Sequence, residues 1–174
     1  TQVLALFDKM LQMPKPSSDI AAMRAAYMSL KEMPKDTINQ AFEKVLEIAP
    51  DNVEARLQLV QNLWDDKKYD KVIEMTDQAQ AYNPDEMVFY YFGGMAHYLK
   101  GDDDKTLDTF RKGVAQVNEK SSPELVSDLY MIMGDILNKK GAVTDLADRK
   151  MFAERAFGVS SHYDTAIHNW FAGK

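Results

Sequence analysis

Cysteine is absent from this sequence, which excludes disulfide cross-links and thiolate metal sites. Glycine and proline are sparse, 8 and 6 in 174 residues, and together with 11 methionines this leans toward helices. No stretch approaches the ~18 consecutive apolar residues of a membrane-spanning helix. An excess of basic residues is also missing. Lys and Arg number 21 against 27 Asp and Glu, a net charge of -6. That balance argues against nucleic acid, whose phosphates require clustered cations, and disfavours an anionic membrane surface.

What is present is a folded composition, 45% hydrophobic and 28% charged, long enough for one domain with a sizeable core. The dominant signal is self-similarity. Ala49-Pro50-Asp51-Asn52 returns as Asn83-Pro84-Asp85-Glu86, an offset of 84 − 50 = 34. The same offset carries Ile38 to Val72 and Thr106, Phe42 to Thr76 and Phe110, and Val45 to Ala79 and Gly113. A fourth copy is displaced. Gly94 maps to Gly134 (134 − 94 = 40), which exceeds the period by six, so six positions have been inserted at Asn118 to Pro123. There Ser122-Pro123-Glu124 reads as a helix start, which makes the insertion an extended turn between units.

A period of this length, with two helical patterns per unit, resembles the tetratricopeptide repeat. Tyr90, Gly93, Gly94, Gly101, Leu107, Phe110 and Gly113 sit at signature positions of the third unit. The resemblance implies an all-α chain, a right-handed superhelix of about four helix pairs with extra helices at both ends. The expected units are 19–52, 53–86, 87–120 and 123–158, the last with a degenerate second helix from about Thr144 to Phe157. A capping helix is expected within 1–16, where Val3, Leu4, Leu6, Phe7, Met10 and Leu11 form an apolar stripe before Pro14 and Pro16. A second cap is expected at 161–172.

In this family the first helix of each pair lines the concave side and is free to meet a ligand. The resemblance therefore implies a peptide-binding groove built from Tyr27, Leu57, Gln61, Trp64, Tyr91, Met95, Tyr98, Met131 and Asp135. It is aromatic and methionine-rich in its middle and acidic toward the fourth unit, a surface suited to an apolar segment or amphipathic helix. The same aromatic residues would also serve as packing if other helices cover them. The carboxylate clamp of chaperone-binding members requires Lys, Asn and Arg at set positions. Here those positions hold Met23, Tyr27, Gln58, Val88 and Phe92, or, one unit on, Leu57, Gln61, Phe92, Asp128 and Ile132. Binding to chaperone tails is not expected.

No catalytic constellation can be assembled, and no cofactor or metal site is expected. His97 falls on a core position, and His162 and His168 are spaced poorly for one helix face. Asp102-Asp103-Asp104 follows Gly101 as a capped helix start rather than a calcium loop. The reading is a non-enzymatic scaffold or adaptor for a protein or peptide. The alternative is a structural subunit that self-associates, or docks into a larger assembly, through its ends. The tail residues Phe157, Tyr163, Ile167, Trp170 and Phe171 motivate that alternative. The start at Thr1, the absent cysteine and the adhesive groove point toward an exported bacterial envelope protein, though cytoplasmic residence fits as well.

Overall fold

The structure, a computed structural model, describes residues 2–141. Among the described residues there are eight helices and no strand: α1 (Gln2–Leu11), α2 (Ser18–Leu30), α3 (Lys35–Ile48), α4 (Val53–Asp65), α5 (Tyr69–Tyr82), α6 (Met87–Leu99), α7 (Asp103–Val114) and α8 (Pro123–Lys139). The helix expected from Thr144, the cap expected at 161–172 and the aromatic tail lie outside the described residues.

Local chemistry sets the helix ends. Asn52 Oδ1 accepts from the Ala55 amide at 2.9 Å, Asp102 Oδ1 from Lys105 at 3.1 Å, and Ser122 Oγ from Leu125 at 3.4 Å. Each satisfies one amide that the first turn leaves without a helical partner. The turn after each first helix recurs with a residue in the left-handed region: Glu32 (φ 49), Lys67 (φ 57), Gly101 (φ 79) and Gly141 (φ 61). The next amide reaches back five residues, Met33 to Met28 O, Lys68 to Leu63 O and Asp102 to His97 O, at 2.9–3.2 Å. This is the closing bond of a Schellman cap. Glycine takes the strained position without cost in the third and fourth units; Glu32 and Lys67 hold it against a Cβ clash.

Packing follows from the small and large residues of the repeat. Consecutive helices contact one another along the chain from α1 to α8. A Cβ at Gly93 would lie 2.7 Å from Thr76 Oγ1, and one at Gly113 would lie 2.7 Å from Tyr90 Cβ. A Cβ at Gly94 would overlap the ring of Phe110. The missing side chains are what let α5, α6 and α7 approach so closely. Helix α6 divides the core. Phe89 and Ala96, on one face of it, join a cluster with Val45, Leu59, Val60, Val72 and Ala79. On its other flank Met87, Tyr91, Met95 and Tyr98 meet Leu107, Phe110, Leu129, Met133 and Ile136. Each fully buried Phe or Leu contributes ~1.5–3 kcal/mol relative to exposure.

Arg56 departs from this apolar scheme. It is 1% exposed at the position where the third unit has Tyr90 (90 − 56 = 34). Its guanidinium donates to Pro50 O at 2.7 Å and Met75 O at 3.3 Å, and it lies over the Tyr82 ring at 5.5 Å. Its Nε has no acceptor, and burial lowers its pKa.

Helix α1 packs on α2, and its Leu4 and Leu11 reach the first core cluster. They stand one period before Ile38 and Val45 (38 − 34 = 4, 45 − 34 = 11), and Pro16 stands one period before Pro50 (50 − 34 = 16). Helix α1 therefore shares the phase of the second helices α3, α5 and α7. Asp8 occupies the place of Phe42 and pairs with Arg24 at 2.8 Å. A charge where the other units carry a buried residue hid this phase.

Candidate functional site

Of the first helices α2, α4, α6 and α8, α4 meets α6 and α6 meets α8 directly. The Trp64 ring of α4 lies 5.4 Å edge-to-face from Phe92 of α6, and Tyr91 Oη of α6 donates to Asp128 Oδ2 of α8 at 3.3 Å. The side these helices share is the one expected from the repeat pattern to be concave, and is termed the inner face. Exposed apolar side chains separate in the same way. Met23 and Leu30 of α2, Leu99 of α6 and Met131 of α8 are 49–77% exposed, whereas α3, α5 and α7 together expose one large apolar residue, Tyr82.

The nine residues expected to form the groove divide into two groups. Gln61, Met131 and Asp135 are open to solvent. Leu57 is half-buried on the first core and still lines a cleft. The others are partly used by packing. Trp64 joins a chain of edge-to-face rings, 5.4 Å from both Tyr69 and Phe92, and Phe92 is 5.7 Å from Tyr91. Met95 and Tyr98 pack on the second core, and Tyr98 carries the Lys139 ammonium 5.8 Å from its ring centre. Tyr27 leans on Phe7 of α1 at 6.3 Å. Burial, and then Asp128, raise the pKa of Tyr91 above the ordinary phenol value, so its hydroxyl stays protonated as a donor.

Two clefts open on this face, on either side of α4. One, of 420 Å³, lies between α2 and α4 over Phe42. The small side chains Ala22, Ala26 and Ser29 line its α2 side, and Ala22 and Ser29 stand where the third unit has the larger Tyr90 and His97 (offset 68). The other, of 590 Å³, is floored by Leu57, Val88 and Leu125 of three successive first helices and walled by residues 118–122. That wall belongs to the inserted turn. The sequence signalled it as an extended turn, but its place over the groove was not legible. Met87 and Leu125 were likewise missed, since both read simply as helix starts.

His97 is half-buried, and burial lowers its pKa, so the ring is neutral at pH 7. Among the described residues no group of three His, Asp or Glu is placed to hold a metal, and no helix is long and apolar enough to cross a membrane.

Comparison with known proteins agrees with this architecture. The sequence model of the tetratricopeptide repeat matches residues 36–90. A crystal structure of MamA superposes with a TM-score of 0.65 at 14% identity, covering 93% of this chain and 89% of that one. MamA from Desulfovibrio magneticus RS-1 gives 0.58 at 17% identity, over 93% and 84%. YrrB, a tetratricopeptide-repeat protein with an unusual peptide-binding site, gives 0.59 at 18% identity, over 95% and 80%. A 42-residue stretch is 48% identical to part of the bifunctional purine biosynthesis protein PurH of Bacteroides thetaiotaomicron. It covers 24% of this chain and only 8% of PurH. With the sequence period, the stacked helix pairs and the matched segment together, residues 36–90 are tetratricopeptide repeat and the described chain has the fold of a tetratricopeptide-repeat stack.

Proposed function

We propose that this chain is a protein-interaction scaffold that holds an apolar or amphipathic segment of a partner on the face lined by α2, α4, α6 and α8. One observation carries the reading. From α2 onward, four of the five large apolar side chains that folding leaves exposed lie on the first helices, while α3, α5 and α7 carry charge outward. Exposed apolar surface that no fold contact uses is retained where a partner covers it. The two clefts beside α4 supply depressions for anchoring side chains. The peptide-binding site of YrrB supports the idea that such a stack can serve this purpose.

Site-specific photocrosslinking tests the proposal. A photoreactive residue at Met23, Leu99 or Met131 should capture a common partner in cells. The same residue at Glu74 or Asp108, on second helices, should not. Equal capture from both sets would move binding off the inner face.

A second reading, docking through an end, has its own support in α1. Val3 and Leu6 are 42% and 60% exposed, where the later second helices place Thr37, Lys71, Lys105 and Gln40, Glu74, Asp108. If this stripe joins two copies, light scattering should show a concentration-dependent mass that the Val3→Ser, Leu6→Ser variant loses. A monomer at every concentration removes self-association.

A further inference from the structure

The cleft under the inserted loop differs from the rest of the inner face in its charge. Its floor is apolar: Met87 is 4% exposed, and Leu57, Val88 and Leu125 are half-buried. Its exposed rim carries Asp85, Glu86 and Glu119 against a single Lys120, three carboxylates to one ammonium. Asp128 and Asp135 of α8 and Glu54 of α4 are also exposed on these first helices. Helices α6 and α8 both start here, and a helix start ordinarily draws anions. Glu86 precedes the first turn of α6, and Glu124 lies in the first turn of α8, so carboxylates already occupy both starts.

The wall is preformed. Asn118 N donates to Ser121 Oγ at 3.0 Å, Lys120 N to Asn118 Oδ1 at 2.9 Å, and Ser121 N to Asn118 O at 3.0 Å. Asn118 Nδ2 also donates to Gln116 O at 3.1 Å. A loop tied to itself in this way gives up little conformational freedom when something settles against it. The cleft stays open toward the inner face and is not closed over, as a side chain carried on a longer segment requires.

We infer that this cleft is the anchoring and selecting subsite of the groove, and that it takes an apolar side chain of a protein segment with Lys or Arg flanking it. The inference rests on the scaffold reading above and adds the partner's chemistry. The apolar floor removes the anchor from water, and the acidic rim meets the flanking cations and rejects acidic segments by repulsion.

An NMR titration of the isotopically labelled chain tests it with three synthetic peptides. They share one leucine-centred apolar core and differ only in flanks of Arg, Gln or Glu. The Arg-flanked peptide should shift the amides of Val88, of residues 118–122 and of Leu125, and bind about tenfold more tightly than the Glu-flanked one at low salt, the gap narrowing as salt rises. The Glu86→Lys, Glu119→Lys variant changes exposed side chains outside the core, and should reverse the preference while leaving the circular dichroism spectrum intact. Equal binding of all three peptides, or an unchanged order in the variant, overturns the charge selection. Shifts confined to the α2–α4 cleft overturn this subsite and leave the scaffold reading standing. Shifts confined to α3, α5 and α7 overturn both.

Discussion

Replacing Gly94 by alanine sets two effects of known size against each other. In an isolated helix the change is favourable by ~1 kcal/mol, because alanine restricts the unfolded chain and suits the helix interior. Here the new methyl would overlap the ring of Phe110, which is 0% exposed and enclosed by the second core. The ring has no free direction to yield, so the overlap belongs at the upper end of the ~1–3 kcal/mol cost of overpacking. The net expectation is a loss of about 2 kcal/mol, read as a lower urea midpoint with little change in slope. Phe110→Leu alone should cost ~1–2 kcal/mol, part of the ~3–5 kcal/mol seen for removing a whole ring. In the double variant the smaller side chain makes room for the methyl, so the combined loss should fall short of the sum by about 1 kcal/mol or more. Strictly additive losses, or a Gly94→Ala variant that gains stability, would show that α6 and α7 are not held at this close approach.

Three further outcomes are expected. Arg56→Met should lie within ~1 kcal/mol of the parent, since two lost hydrogen bonds at ~1 kcal/mol each are offset by removing a buried charge with an orphaned Nε; Arg56→Ala should cost about 3 kcal/mol through its cavity, and a Met variant as damaged as Ala would make the carbonyl bonds dominant. Because burial lowers the His97 pKa, the unfolded chain takes up that proton first. Stability should therefore be flat above the ordinary value of 6.5 and decline as pH falls from there through the lower folded value, and His97→Gln should remove this step from urea midpoints against pH. Lys67→Gly should gain ~0.5–1 kcal/mol by relieving a left-handed residue, and Gly101→Ala at the matching turn should lose ~1–2 kcal/mol, both measured by chemical denaturation.

Much of this architecture is written in the chain itself. The recurring period repeats the small and large positions, so stacking of helix pairs follows from which residues must leave water. Turn chemistry is equally local: Asn52, Asp102 and Ser122 cap helices through their own side chains, and Gly101 and Gly141 meet a backbone requirement that needs no distant contact. The phase of α1 was in the sequence too, through Leu4, Leu11 and Pro16, but Asp8 broke the pattern at its most diagnostic place.

Tertiary structure decided which inner residues remain available. The resemblance places Trp64, Tyr91 and Tyr98 on the groove side of their helices, yet whether a ring faces solvent depends on how near the next first helix comes. That distance is set by side chains in another repeat: Phe92 and Asp128 draw in Trp64 and Tyr91, while Met131 stays 61% exposed. The cleft under residues 118–122 has the same origin. A sequence registers the extra positions as an insertion, but only the stacking of α4, α6 and α8 places that loop above Leu57, Val88 and Leu125.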